Sequence, residues 1–345
     1  MSTLKTTNLQ NASAASPAFV LAADGSATAN LSSVNGGPLS GMRNRIINGN
    51  YDVWQRGTSF SLSASIAYTT DRWEFGGTGT ITRQAFSIGQ TDVPGEPTYF
   101  AEWNITSNSQ NYECVQKIED VRNFAGGKLT VSFYAKRSSG TTNLAPRVVQ
   151  YFGTGGSPSG VVTTSLGSAP ALTTSWQKFV YTIDVPSIAG KTIGTDNNNS
   201  IWISLQISNT ATGTIQLAQV QAEPGSTATP FERRSYGQEL ALCQRYFANV
   251  PVTGMGIAFS NTTWDGQFSL PVPMRAQVTA TAFSVITVSN VTTSDFGQSS
   301  PNINAVISLG ATSVHLRFGN FTGLTGGSAY LARNADMYTS FSAEL

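Results

Sequence analysis

Residues 201–207 set the strongest constraint on how this chain can fold. Ile201, Ile203, Leu205 and Ile207 alternate with Trp202, Ser204 and Gln206. A period of two places the four aliphatic side chains on one face of a strand. That face must be a core, because the opposite register would expose all four. The same alternation sets Leu129, Val131 and Phe133 against Thr130, Ser132 and Tyr134, and gives Phe179, Tyr181 and Ile183 a common face within Trp176–Asp184. After Ile215 and Leu217 the phase slips to Val220, as a β-bulge makes it do. Turn clusters at Pro94–Pro97, Gly153–Gly160 and Asn197–Asn199 separate the runs. Many short strands with turns between them predict a sandwich or jelly roll.

One helix stands out downstream. Ser235 followed by Gln238 is a capping-box pattern, and Leu240, Cys243 and Phe247 fall on one face at helical spacing, with Tyr236 adjoining. Arg245 suits the C-terminal end of the dipole, and Pro251 blocks continuation. Beyond it, Gln277–Ser289, Asn304–Leu309 and Ser313–Phe318 read as strands. Residues 1–40 carry only Lys5 and Asp24 as charges and no Trp or Tyr, so they cannot bury a core alone. Asp24-Gly25 within them reads as a hairpin turn. The fold class is therefore all-β: a jelly-roll-like β-sandwich (41–234), a short linker helix (235–251) and a smaller C-terminal β-sandwich (252–345), preceded by an extended N-terminal arm (1–40).

Composition excludes several functions. Only 11% of the 345 residues are charged, and 20 Lys and Arg nearly cancel 19 Asp and Glu. A net charge of +1 argues against an electrostatic nucleic-acid binder. One histidine and two cysteines, His315, Cys114 and Cys243, are too few and too scattered for a common zinc site. The cysteines read as buried free thiols, and His315 as a strand histidine rather than the base of a triad. The longest apolar stretch near the N-terminus, Ala18–Ala23, falls far short of the roughly 20 residues that span a bilayer. It also makes a poor signal peptide, so the expectation is folding in a cytoplasm without membrane insertion. No cofactor is implied.

Two stretches carry a family resemblance. The first is Ile47-Asn48-Gly49-Asn50-Tyr51-Asp52-Val53-Trp54-Gln55-Arg56-Gly57 with Tyr68-Thr69-Thr70-Asp71-Arg72-Trp73. The second is Gln221-Ala222-Glu223-Pro224-Gly225 and Thr229-Pro230-Phe231-Glu232-Arg233-Arg234, running into Tyr236–Phe247. Over residues 45–250 or so, the chain resembles bacteriophage tail-fibre and related virion structural proteins with a jelly-roll, carbohydrate-binding-module-like domain. The resemblance implies a virion appendage assembled in the host cytoplasm. It also implies a homotrimer, attachment to other virion proteins through residues 1–40, and a host surface glycan as partner. It carries no catalytic signature. From the residues themselves, Trp54, Trp73 and Phe231 read as core aromatics, and Asp71-Arg72 as opposite charges on a strand flank.

An enzyme reading would be glycoside hydrolysis, which needs two carboxylates about 5–10 Å apart. Glu119-Asp120 is the one adjacent pair, and it reads as solvated charge near a turn. The expectation is therefore a binder and not an enzyme, with a passive adaptor or decoration fibre as the alternative. Sugar binding needs an exposed aromatic face and a few amides or carboxylates. Trp202 is the first candidate, since it lies opposite the aliphatic face, and Tyr134 sits in the same relation. Tyr99, Trp103 and Tyr151 lie beside turn-rich segments. Asn197–Asn199 could supply amides, or a calcium site with Asp196. Gly153-Thr154-Gly155-Gly156 lacks a phosphate-loop lysine and reads as a flexible hairpin tip.

Overall fold

The computed structural model describes residues 8–9, 17–24, 27–29, 42–63, 65–107, 112–138, 142–165, 171–207, 212–251, 254–276, 279–282, 287–290, 295–298, 302–309, 313–322, 324–332 and 338–345. Most of the arm 1–40 lies outside the described residues, as do parts of 277–289. The described part is all-β with one helix.

The chain divides into two compact units, Met1–Asn50 with Gln84–Arg233, and Tyr51–Arg83 with Arg234–Leu345. This differs from the division at residues 40, 234 and 251 read from the sequence. The reason lies in where the polar groups of 51–83 are satisfied: Gln55, Arg56, Tyr68 and Arg72 all bond to the C-terminal part of the second unit.

In the first unit, one sheet runs in the order Gln177–Asp184, Lys128–Arg137, Gly213–Pro224, Tyr99–Ser107, all antiparallel. The other runs Val162–Ser165, Thr142–Tyr151, Ser200–Ile207, Glu113–Ile118. The chain passes back and forth between the sheets, which is the path of a jelly roll. The alternation seen in the sequence selects the inner faces: Leu129, Val131, Phe133, Ile201, Ile203, Leu205, Ile215 and Leu217 are all buried. The phase slip is a real bulge. Ser132 pairs with Gln221 but Tyr134 with Ala218, which leaves an extra residue in the longer strand. The bulge is held by Gly49, whose carbonyl accepts from the Val220 N–H at 2.8 Å. A Cβ at position 49 would sit 2.1 Å from the Val220 carbonyl oxygen, so only glycine fits. On either side of Asp24-Gly25, Phe19–Leu21 pairs antiparallel with Ala27–Ala29.

In the second unit, Ser235 caps the helix Tyr236–Gln244 with the capping box complete. Phe247 does not belong to that helix. Phe247–Pro251 is a strand paired with Tyr338–Ser342, so the span 235–251 is half helix and half sheet. A three-stranded sheet and a seven-stranded sheet enclose a core of Trp264, Phe268, Leu316, Phe318, Tyr330 and Phe341. Trp54 and Trp73 are buried as expected, although Trp54 lies outside any strand. Asp71 and Arg72 lie in the turn before the strand Glu74–Phe75, and both are buried. Cys114 and Cys243 are buried free thiols. No helix among the described residues is long and apolar enough to cross a membrane.

Candidate functional site

The outer face of the sheet that carries Tyr134 holds a concavity in the first unit. Along Lys128–Arg137 the core residues alternate with Thr130, Ser132, Tyr134 and Lys136, which face outward. Tyr134 pairs with Lys178 on the next strand, so their side chains stand side by side. A cleft of about 580 Å³ opens there, lined among others by Pro94, Ser132, Tyr134, Lys178, Phe231 and Arg233.

Each wall has a local cause. The bulge gives Gln219 a positive φ of 50°, and its side-chain amide donates to the Pro94 carbonyl at 2.7 Å. Arg233 Nη1 donates to the carbonyls of Gly95 and Glu96 at 3.1 and 3.2 Å. These bonds fix the Pro94-Gly95 wall. A further wall is the segment through Phe231, built on a buried polar network. Glu223 accepts from the Thr229 N–H and hydroxyl at 2.8 and 2.7 Å and from Arg43 at 2.8 Å. Gln221 Oε1 accepts from the Glu232 N–H at 2.8 Å, and Glu232 Oε2 from the Asn44 N–H at 2.7 Å. The Gln221–Glu232 signature thus builds the back of the cleft. Phe231 itself is half-buried at its edge rather than in the core. Burial raises the Tyr134 phenol above its ordinary value, so it stays a protonated donor at neutral pH.

Two residues further along the same strand face, Lys136 Nζ lies 5.2 Å over the Trp176 ring. Trp176, Phe86 and Phe100 pack on one another at centroid distances of 4.8–5.5 Å and remain half-buried. Glu102, also on this face, accepts from Gln216 at 2.6 Å and from Gln84 at 3.4 Å.

The other sequence candidates separate. Trp202 is half-buried on the outer face of the other sheet, and Tyr151 joins it, ring centroids 5.4 Å apart. Lys117 lies 5.2 Å over the Trp202 ring, whose Nε1 donates to Ser200 Oγ at 2.9 Å. Much of the cover that Trp202 requires therefore comes from its own sheet. Trp103 is fully buried and is a core residue, not a ligand contact. Its strand turns Ala101, Trp103 and Ile105 inward, and Tyr99 shares that parity, so Phe100 and not Tyr99 faces out. Asn198 and Asp196, read from the sequence as amide donors or part of a calcium site, both bond to Thr154. They pin the glycine loop, with Asn198 Oδ1 accepting from the Thr154 N–H at 2.9 Å and Asp196 Oδ2 from the Thr154 hydroxyl at 2.7 Å. No group of three or more His, Cys, Asp or Glu that could hold a metal occurs among the described residues.

Lys178, Gln219, Phe231 and Arg233 were missed from the sequence. The alternation opposite Phe179 and Ile183 could have found Lys178, as that opposite Val131 and Phe133 found Tyr134. The others reach the cleft through a bulge and a loop, which leave no periodic signal.

In the second unit a cleft of about 520 Å³ is lined by Ile257, Phe259, Asp265 and His315 among others. Asp265 is occupied by Arg317 through two bonds of 2.7 Å, and His315 Nε2 stays 3.9 Å away. His315 sits in the strand Ser313–Gly319, where the sequence put it.

No protein-family model matches the chain, and neither does any curated protein. Among solved structures, the chain is similar to the enzymatically active domain of tailspike protein 4 of bacteriophage CBA120, at 15% identity and TM-score 0.33 over 55% of this chain and 22% of that one. It is similar to the CBM22-1 xylan-binding domain of Paenibacillus barcinonensis Xyn10C, at 14% identity and TM-score 0.32 over 49% of this chain and 100% of that one. A further similarity is to a sugar-binding protein of Bacteroides thetaiotaomicron, at 14% identity and TM-score 0.33 over 53% of this chain and 100% of that one. At these scores the likeness decides neither fold nor function.

Proposed function

We propose that this chain is a bacteriophage virion appendage protein, a tail fibre or its equivalent, that binds a host surface glycan in the Tyr134 cleft. The cleft carries the binding half of this reading. Its volume of about 580 Å³ lies within the range of small-ligand sites, and it combines the Tyr134 and Phe231 rings with Ser132, Gln219, Lys178 and Arg233. Rings of this kind stack on a pyranose, and such polar groups hydrogen-bond its hydroxyls. The fibre half rests on the sequence resemblance. It brings with it a homotrimer, a place in the virion and attachment through residues 1–40.

The same proposal makes the chain a binder and not a hydrolase. Among the described residues lining the cleft none is a carboxylate. Glu102, further along the face, is tied to Gln84 and Gln216. Hydrolysis asks for a pair of carboxylates flanking the scissile bond.

Calorimetric titration of the full-length protein with oligosaccharides released from the host surface tests this. The wild type should bind without generating new reducing ends. Tyr134→Ala should weaken binding by about tenfold or more, as loss of an aromatic anchor does, with the melting temperature unchanged. Trp202→Ala should leave the affinity within about twofold, since additivity holds for separate sites. A wild type that binds no surface fraction would leave the passive adaptor reading in its place.

A further inference from the structure

The charges around the cleft say which glycans it takes. Most cations of the first unit that lie near a carboxylate are used up by it: Arg43 by Glu223, Arg122 by Asp120, Lys128 by Asp184 and Arg147 by Glu113. Lys178 and Arg233 differ. The Lys178 ammonium stands beside Tyr134 with no ion pair among the described residues. Arg233 bonds two neutral carbonyls, those of Gly95 and Glu96, which orient the guanidinium without cancelling its charge. The Glu96 carboxylate accepts from the Gly89 N–H at 3.2 Å. Lys136, next along the strand face, has the Trp176 ring as its neighbour instead of an anion. Glu102, a carboxylate on this stretch of the face, is held by two glutamine amides.

Two cations without an ion pair among the described residues line one cleft together with the Tyr134 and Phe231 rings, and this matches a ligand that is part ring and part anion. A neutral sugar would gain little from them, whereas a carboxylate or sulfate accepts charge-assisted hydrogen bonds, roughly twice as strong as neutral ones. Arginine in addition presents its fork to both oxygens of such a group. Behind the cleft, Glu223 is paired with Arg43 and Glu232 accepts from the Met42 and Asn44 N–H groups.

Resting on the reading of the cleft as a glycan site, we infer that its ligand is an acidic glycan. One sugar ring lies against Tyr134 and Phe231, and the carboxylate or sulfate of that residue or its neighbour lies between Lys178 and Arg233. Lys136 extends the positive track for a further acidic residue along a polysaccharide.

The test uses the full chain on an array of matched pairs: uronate-containing and sulfated oligosaccharides, each beside its carboxyl-reduced or desulfated form. The acidic member of at least one pair should bind about tenfold or more tighter than its neutral partner, which is the scale of a charged hydrogen bond. That preference should shrink as salt is raised from 50 to 500 mM, because the charges are exposed enough to be screened. Lys178→Gln with Arg233→Gln should abolish the preference while circular dichroism and melting temperature stay unchanged. Lys117→Gln, on the other sheet, should leave it intact. Equal binding of acidic and neutral partners, lost in Tyr134→Ala, would overturn the acidic specificity and leave the glycan site standing. Binding to no member of any pair would overturn both. A preference that survives the double substitution would place the anion elsewhere and overturn the assignment to Lys178 and Arg233.

Discussion

Arg72 and Glu344, 272 residues apart in the chain, form a buried ion pair in the second unit. The Arg72 guanidinium also lies 3.4 Å over the Tyr246 ring. Arg56 joins from the side, 2.9 Å from Glu344 and 3.6 Å over the Phe247 ring. Residues of the phage-like signature, Arg56, Arg72, Tyr246 and Phe247, thus meet at one place with the C-terminal segment. Their adjacency in space accounts for their spacing in sequence on structural grounds. Removing one partner of such a pair strands a buried charge. Arg72→Ala should therefore destabilise the second unit by about 3–5 kcal/mol, read as a lower urea midpoint. An unchanged midpoint would mean that the pair contributes nothing.

The same corner should make the second unit sensitive to alkali. Burial, and after it the Glu344 charge, raises the Tyr68 phenol far above its ordinary value, and burial does the same to the Cys243 thiol. Both groups stay neutral in the folded chain while their unfolded counterparts ionise near pH 8.5 and about 10. Their contribution is thus fully present below those values and is lost progressively as pH rises above them. Tyr68 donates to the Leu345 carbonyl at 3.1 Å. Tyr68→Phe should lower stability slightly at pH 7 and flatten the alkaline limb of a stability-against-pH curve. An identical limb in the variant would assign the loss to other groups.

Gly49 links the fold of the first unit to its cleft. Gly49→Ala would drive a Cβ into the Val220 carbonyl beside Gln219, the residue that holds the Pro94 wall. The expected cost is about 1–3 kcal/mol or somewhat more, since backbone must move. Glycan affinity should fall with it, although no residue touching the ligand has changed. Intact affinity in a destabilised variant would uncouple the bulge from the cleft.

How much of this was legible in the sequence depends on the kind of residue. Period-two runs such as 201–207 expose their inner face directly, and the slip at Val220 announced the bulge. The Ser235–Gln238 box is a local pattern and was readable for that reason. Arg72 was not, because a charged residue beside an aspartate looks solvated until its distant partner Glu344 is known. Trp103 was misread as a ligand contact because its neighbouring turn cluster outweighed its parity with Ala101 and Ile105. The cleft was half legible: Tyr134 shows in the alternation, whereas Phe231 and Arg233 arrive through a loop whose course depends on Glu223 and Gln221.

The proposed fibre role carries with it the expectation of a homotrimer. In the first unit Phe19, Val20 and Leu21 are 39%, 36% and 46% exposed, an apolar hairpin strand that a single chain leaves in water. Light scattering at micromolar concentration should return three chain masses, and deletion of residues 1–40 should leave folded protein that no longer enters particles. A monomer mass, or normal incorporation of the truncated chain, would contradict the respective halves of this reading.

The central claim is that the glycan sits in the Tyr134 cleft, and a crystal structure of the full-length protein with an oligosaccharide from the host surface tests it most directly. The account predicts a sugar ring against Tyr134 and Phe231, within hydrogen-bond reach of Lys178 or Arg233. A sugar on the Trp202–Tyr151 pair of the opposite sheet, or beside Phe259 in the second unit, with the Tyr134 cleft empty, would contradict it.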